Sequence, residues 1–148
     1  MSPVILSAAG VALVLDDSGP GLPRVRHFGA GLGRVDGPGL LPAVASLGSA
    51  PPLLPAQGDG WYGRPGLSGV RDGEHWPVRW TVESLETESG AGGGTVTVTA
   101  ADGRAGLRLV SELVMDAGGL VSMRHTLTNT AASPYRVGGL VCALPVPG

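Results

Sequence analysis

A chain of 148 residues is long enough to bury one hydrophobic core without disulfide or metal staples and too short for two ordinary domains. Its ten basic residues are all Arg, set against twelve Asp plus Glu for a formal net charge of −2, so no basic face exists to neutralise phosphates and no nucleic-acid partner is expected. The longest uncharged apolar stretch, 38–57, is broken by Pro42, Pro51, Pro52 and Pro55, which excludes a membrane-spanning helix and makes a membrane partner unexpected.

In chain order, 4–8 and 11–15 read as short apolar strands. The turn Asp16-Asp17-Ser18-Gly19-Pro20-Gly21 follows them, and 24–28 reads as a third strand. The two adjacent carboxylates of that turn are expected to cap their own backbone rather than to act on a substrate. Between Gly29 and Glu74 no period is sustained and no helix of ten residues is expected. This stretch reads as a long excursion over the sheet surface, a length that signals function or a missing packing partner. Glu83, Glu86 and Glu88 lie among Ser and Thr, as on the solvated side of an edge strand or loop.

The second half reads as an antiparallel meander. Over 95–101, Thr95, Thr97 and Thr99 alternate with Val96, Val98 and Ala100, the pattern of a half-buried strand, and Asp102-Gly103 supplies the turn. Over 105–115, Leu107, Leu109, Leu113 and Met115 share one face while Arg108 and Glu112 share the other. Over 120–129, Val121, Met123, His125 and Leu127 point one way and Ser122, Arg124, Thr126 and Thr128 the other; His125 is expected to be a satisfied core or edge histidine. A fourth strand is expected over 135–146, with Cys142 as a small buried hydrophobe. Many short strands, frequent turn signals and no helix predict an all-β sandwich.

Cys142 is the only cysteine, so no disulfide forms within the chain, and the first Arg is Arg24, so no basic leader precedes an apolar run. A reducing cytoplasm is the expected compartment. His27, His75 and His125 are too isolated to predict a metal site, no Gly-x-Ser-x-Gly elbow occurs, and 29–33 lacks the spacing of a phosphate loop, so no metal or cofactor is expected.

Chemistry concentrates in 60–80, GWYGRPGLSGVRDGEHWPVRW, which holds all three Trp and three of the ten Arg. Aromatic rings with polar edges beside planar guanidinium forks suit a polyhydroxylated ligand or a wet interface. Trp76 and Trp80 are explained as well by fastening a loop to the sheet. Trp61 and Tyr62, adjacent between glycines and close to Arg64, are hard to bury together and predict a surface role. Asp72-Gly73 reads as an ordinary turn inside the same window.

Three stretches together carry a family resemblance: GVALVLDDSGPGLPRVRHFGAGLG over 10–33, LLPAQGDGWYGRPGLSGVRDGEHWPVRW over 53–80, and AGLRLVSELVMDAGGLVSMRHTLTNTAASPYRVGGLVCALPVP over 105–147. In combination they resemble the N-terminal domain of bacterial α-galactosidases of glycoside hydrolase family 36. The sequence departs from the family pattern at Phe28, where Trp is usual, at Gln57, where an acid is common, and at Val70, where His is frequent. The resemblance implies a single domain over 1–148 with a β-supersandwich fold, a galactose-mutarotase-like antiparallel sandwich with long loops. It also implies that a catalytic (β/α)8 barrel of the same polypeptide follows residue 148. Both catalytic aspartates of a retaining mechanism would belong to that barrel, so no catalytic residue is expected here. The implied partners are that barrel, further copies in a homo-oligomer, and an α-galactoside substrate. Trp61, Tyr62, Arg64, Arg71 and Asp72 are the candidate substrate-binding or interface residues. A free-standing carbohydrate-binding module is the alternative expectation.

Overall fold

The computed structural model describes residues 3–33, 50–74 and 76–145. Nine strands are present among them: β1 Val4–Ala8, β2 Val11–Asp16, β3 Arg24–Ala30, β4 Leu67–Arg71, β5 Thr81–Gly90, β6 Gly93–Asp102, β7 Leu107–Met115, β8 Val121–Asn129 and β9 Tyr135–Leu140. All pairings are antiparallel, giving a sheet β1-β2-β3, a sheet β5-β6-β7-β8 and a two-stranded ribbon β4-β9. The chain is therefore an all-β sandwich, with β1 lying against β5, β6 and β7.

The core follows from the alternating patterns. Leu6, Leu13 and Leu15 from the first sheet meet Val96, Val98, Leu109 and Leu113 from the second, all buried. Along β7 the inward row Leu107, Leu109, Ser111, Leu113, Met115 is buried and Arg108 and Val114 are exposed. One polar group, Ser111, interrupts that row. The β7–β8 register sets it opposite His125, and its hydroxyl lies 2.8 Å from His125 Nδ1. The same register sets Glu112 opposite Arg124 on the solvent face, where they pair at 2.6 Å. Burial holds the His125 imidazole below its ordinary value against the opposing effect of the Leu53 backbone.

For Asp16 the turn chemistry is local, as expected of that turn. Asp16 Oδ1 accepts from the Ser18 amide at 2.9 Å and from its hydroxyl, and Asp16 Oδ2 pairs with Arg26 at 2.9 Å. Those contacts, the Ser18 hydroxyl foremost, hold the carboxyl below the usual range despite its burial. Asp102 closes a four-residue loop between β6 and β7 by accepting from the amides of Arg104 and Ala105.

Three expectations need correction. The stretch after β3 does not all lie on the surface: Leu53 and Leu54 are fully buried. The segment docks beside β3 through Val25 N to Pro51 O and Leu53 N to Pro23 O, both 2.9 Å. Proline cannot donate to a ladder, so this run joins the sheet edge with few bonds and fills the core with side chains. Residues 34–49 of the same excursion, and His75, lie outside the described residues. Second, 135–146 does not extend the meander: β9 pairs with β4, with Tyr135 opposite Arg71 and Leu67 opposite Leu140, and it ends at Leu140. Third, Cys142 is exposed, because it follows the end of β9 rather than sitting within a strand. No helix among the described residues is long and apolar enough to cross a membrane.

Candidate functional site

The residues singled out by sequence fall at the two ends of β4, whose five residues span roughly 13 Å. At its N-terminal side is the tip Trp61-Tyr62-Gly63-Arg64. A short 3-10 turn, Gln57–Asp59, leads into it and stops at Gly60 in the left-handed conformation. Trp61 folds back over the tip and donates Nε1–H to the Arg64 carbonyl at 3.1 Å. A Cβ at Gly63 would stand 2.6 Å from that same Nε1, so only glycine lets the indole close over the loop. Closure turns Tyr62 outward, with its side chain wholly in solvent (102%), and leaves Arg64 exposed. The tip is thus a loop closed by one indole-to-carbonyl bond that presents one phenol and one guanidinium, a donor set suited to hydroxyl groups or to another protein surface.

At the C-terminal side of β4 the chain reverses through Asp72 and Gly73, at φ +48° and +77°, closed by Glu74 N to Arg71 O at 2.7 Å. Asp72 is exposed and serves the turn, since Asp and Gly tolerate this left-handed pair. Arg71 is placed otherwise. Its guanidinium donates to the Ala105 carbonyl at 3.0 Å, to Asn129 Oδ1 at 2.7 Å, and to both the hydroxyl and the carbonyl of Ser133. It lies 5.6 Å from the centroid of the Tyr135 ring. Burial pushes the Tyr135 phenol up, against the pull of Arg71, so it stays neutral. Arg71 therefore clamps the β4 end to the β6–β7 loop and to the β8–β9 connection. Its charge is spent chiefly on backbone carbonyls, of which that of Ser133 also accepts from Asn129 Nδ2 at 2.9 Å. Sequence reading places Arg71 among the candidate binding residues and carries no signal for this clamping role, because its partners are 34 to 62 residues away.

Beyond the turn, Trp76 is 51% exposed while Trp80 is 3% exposed, so of the two readings open for this pair, fastening fits Trp80. Trp76 is nonetheless held: its Nε1 donates to Glu74 Oε2 at 2.9 Å, and the Arg104 guanidinium stacks 3.8 Å from its ring centroid.

A larger cleft, about 940 Å3, opens between the β2–β3 turn and β5, with Arg24, Asp59, Arg79 and Trp80 among its walls. Burial raises the Asp59 carboxyl above its usual range, opposed by Arg24 and Arg79, and its Oδ2 has no hydrogen-bond partner. Asp59 stands in a Gly-Asp-Gly triplet that reads simply as a turn, so sequence gives no sign of it. Among the described residues no group of three His, Cys, Asp or Glu could hold a metal.

Fold and surface together define an antiparallel β-sandwich with its aromatic window at the ends of one strand. Residues 21–148 match the glycosyl hydrolase family 36 N-terminal domain, and the chain belongs to that family. It is similar to the alpha-galactosidase of Escherichia coli, with 41% identity over 88 residues, which is 59% of this chain and 12% of that protein. The chain thus spans a small fraction of the length of this relative. No solved structure matches it.

Proposed function

We propose that this chain is the non-catalytic N-terminal domain of an α-galactosidase that removes terminal α-linked galactose from oligosaccharides such as melibiose or raffinose-type sugars. The observation that carries this reading is the family match over 21–148, joined by the likeness to an alpha-galactosidase. The catalytic aspartates belong to a barrel that follows in the same polypeptide, and this fragment alone is inactive. The domain scaffolds that barrel and supplies contacts between subunits of a cytoplasmic homo-oligomer, with no cofactor.

The tip at 61–64 is the segment that reaches outward to form outer sugar subsites or subunit contacts. The outward Tyr62, the exposed Arg64 and the locked Trp61 support this role, since a fixed loop loses little freedom on binding. Trp61→Ala and Arg64→Ala in the full-length enzyme are expected to raise KM for a trisaccharide by roughly five- to thirtyfold, which corresponds to about 1–2 kcal/mol of lost binding. KM for an aryl α-galactoside, which has no outer sugar, should change much less. Unchanged trisaccharide kinetics in both variants would rule out the subsite.

A further inference from the structure

The cavity between the β4 turn and the β6–β7 loop is walled by Gly69, Arg71, Glu74, Trp76, Arg104 and Tyr135, among others, and encloses about 280 Å3. We propose that it is a second carbohydrate site, one that takes a single neutral pyranose ring. This site lies at the opposite end of β4 from the 61–64 tip, and it does not depend on the parent protein hydrolysing α-galactosides.

Trp76 is the centre of this site. Its indole is 51% exposed, yet it is not loose. Glu74 fixes its ring nitrogen at 2.9 Å and Arg104 covers one face at 3.8 Å, so the ring is oriented in advance while half its surface stays open. A held aromatic face of this kind is what the C–H face of a sugar ring packs against.

The polar groups around the ring select the ligand further. Both Nη atoms of Arg71 are already spent on carbonyls, on the Ser133 hydroxyl and on Asn129, and its unpartnered Nε is buried, which leaves the Glu74 carboxylate as an acceptor and the Arg104 guanidinium as a donor. Vicinal hydroxyl groups can donate to one and accept from the other. A phosphate or carboxylate would meet Glu74, and a cation would meet Arg104 and Arg71. The neutral Tyr135 phenol adds a group able both to donate and to accept. A volume just under the usual range of ligand sites suits one ring rather than a chain of them. Gly69 keeps the floor open: a Cβ there would stand 2.4 Å from the Tyr135 ring and displace it.

Fluorine NMR on the full-length protein carrying 5-fluorotryptophan tests the site without relying on activity. The Trp76 resonance is identified by its loss in Trp76→Phe, and that of the buried Trp80 serves as a fold reporter. Titration with D-galactose or D-glucose is expected to move the Trp76 resonance saturably, with Kd on the order of millimolar, and to leave Trp80 unmoved. Arg104→Ala and Glu74→Gln, each with an unaltered Trp80 resonance, should weaken that response about tenfold or more. The proposal is overturned by a Trp76 resonance that no sugar moves, by one that responds to inorganic phosphate and not to sugar, or by one shielded from solvent by another part of the protein.

Discussion

Replacing Arg71 with methionine is expected to destabilise the protein by about 2–4 kcal/mol, although the stem length is kept and the site lies at a strand end. The cost comes from what the guanidinium leaves behind. The carbonyls of Ala105 and Ser133 and the Asn129 side chain lose a charged donor at once, in a partly buried setting where water replaces it poorly. The three segments it joins, the end of β4, the β6–β7 loop and the β8–β9 connection, would then be held by backbone pairing, the Arg104–Trp76 stack and the Asn129 Nδ2 to Ser133 O bond. Lysine should recover only a small part of the loss, because a point ammonium cannot serve acceptors spread around a planar fork. Urea unfolding of the three proteins side by side measures this. A methionine variant within about 0.5 kcal/mol of the parent, the usual range for a surface substitution, would contradict the clamp.

Leu53→Ala should cost about as much, roughly 3–5 kcal/mol. Leu53 is fully buried in a segment that runs beside β3, and truncation would leave a cavity beneath both sheets next to His125. Leu120, 70% exposed in the β7–β8 turn, provides the comparison: Leu120→Ala should change stability by no more than about 0.5 kcal/mol. Equal effects of the two substitutions would mean that the proline-rich segment is not part of the core.

These two residues also mark where the sequence stops being informative. Strands β6, β7 and β8 are legible because their burial alternates, so that a residue such as Val98 or Leu109 carries its face in its neighbours, whereas β1, β2 and β3 are legible as short apolar runs bounded by turns. Leu53 sits among prolines with no period at all, so nothing local tells a core plug from a surface loop. The ribbon β4-β9 is hidden for another reason: its strands are more than sixty residues apart, and short Gly-containing strands give no preference for one partner over another. The same limit hides the Arg71 clamp and exposes Cys142, which an apolar neighbourhood places inside. The sequence also does not divide the aromatic window. The closed tip depends on Gly63 lying under Trp61, and the Trp76 platform depends on Arg104 from a different hairpin.

The most direct test of the account is release of nitrophenol from an aryl α-galactoside, run on the 148-residue chain and on the full-length product of its gene, with circular dichroism confirming that each is folded. The account predicts activity in the full-length protein and none in the folded chain. No activity in either would contradict the assignment to an α-galactosidase, and activity in the chain alone would contradict the placement of the catalytic carboxylates outside it.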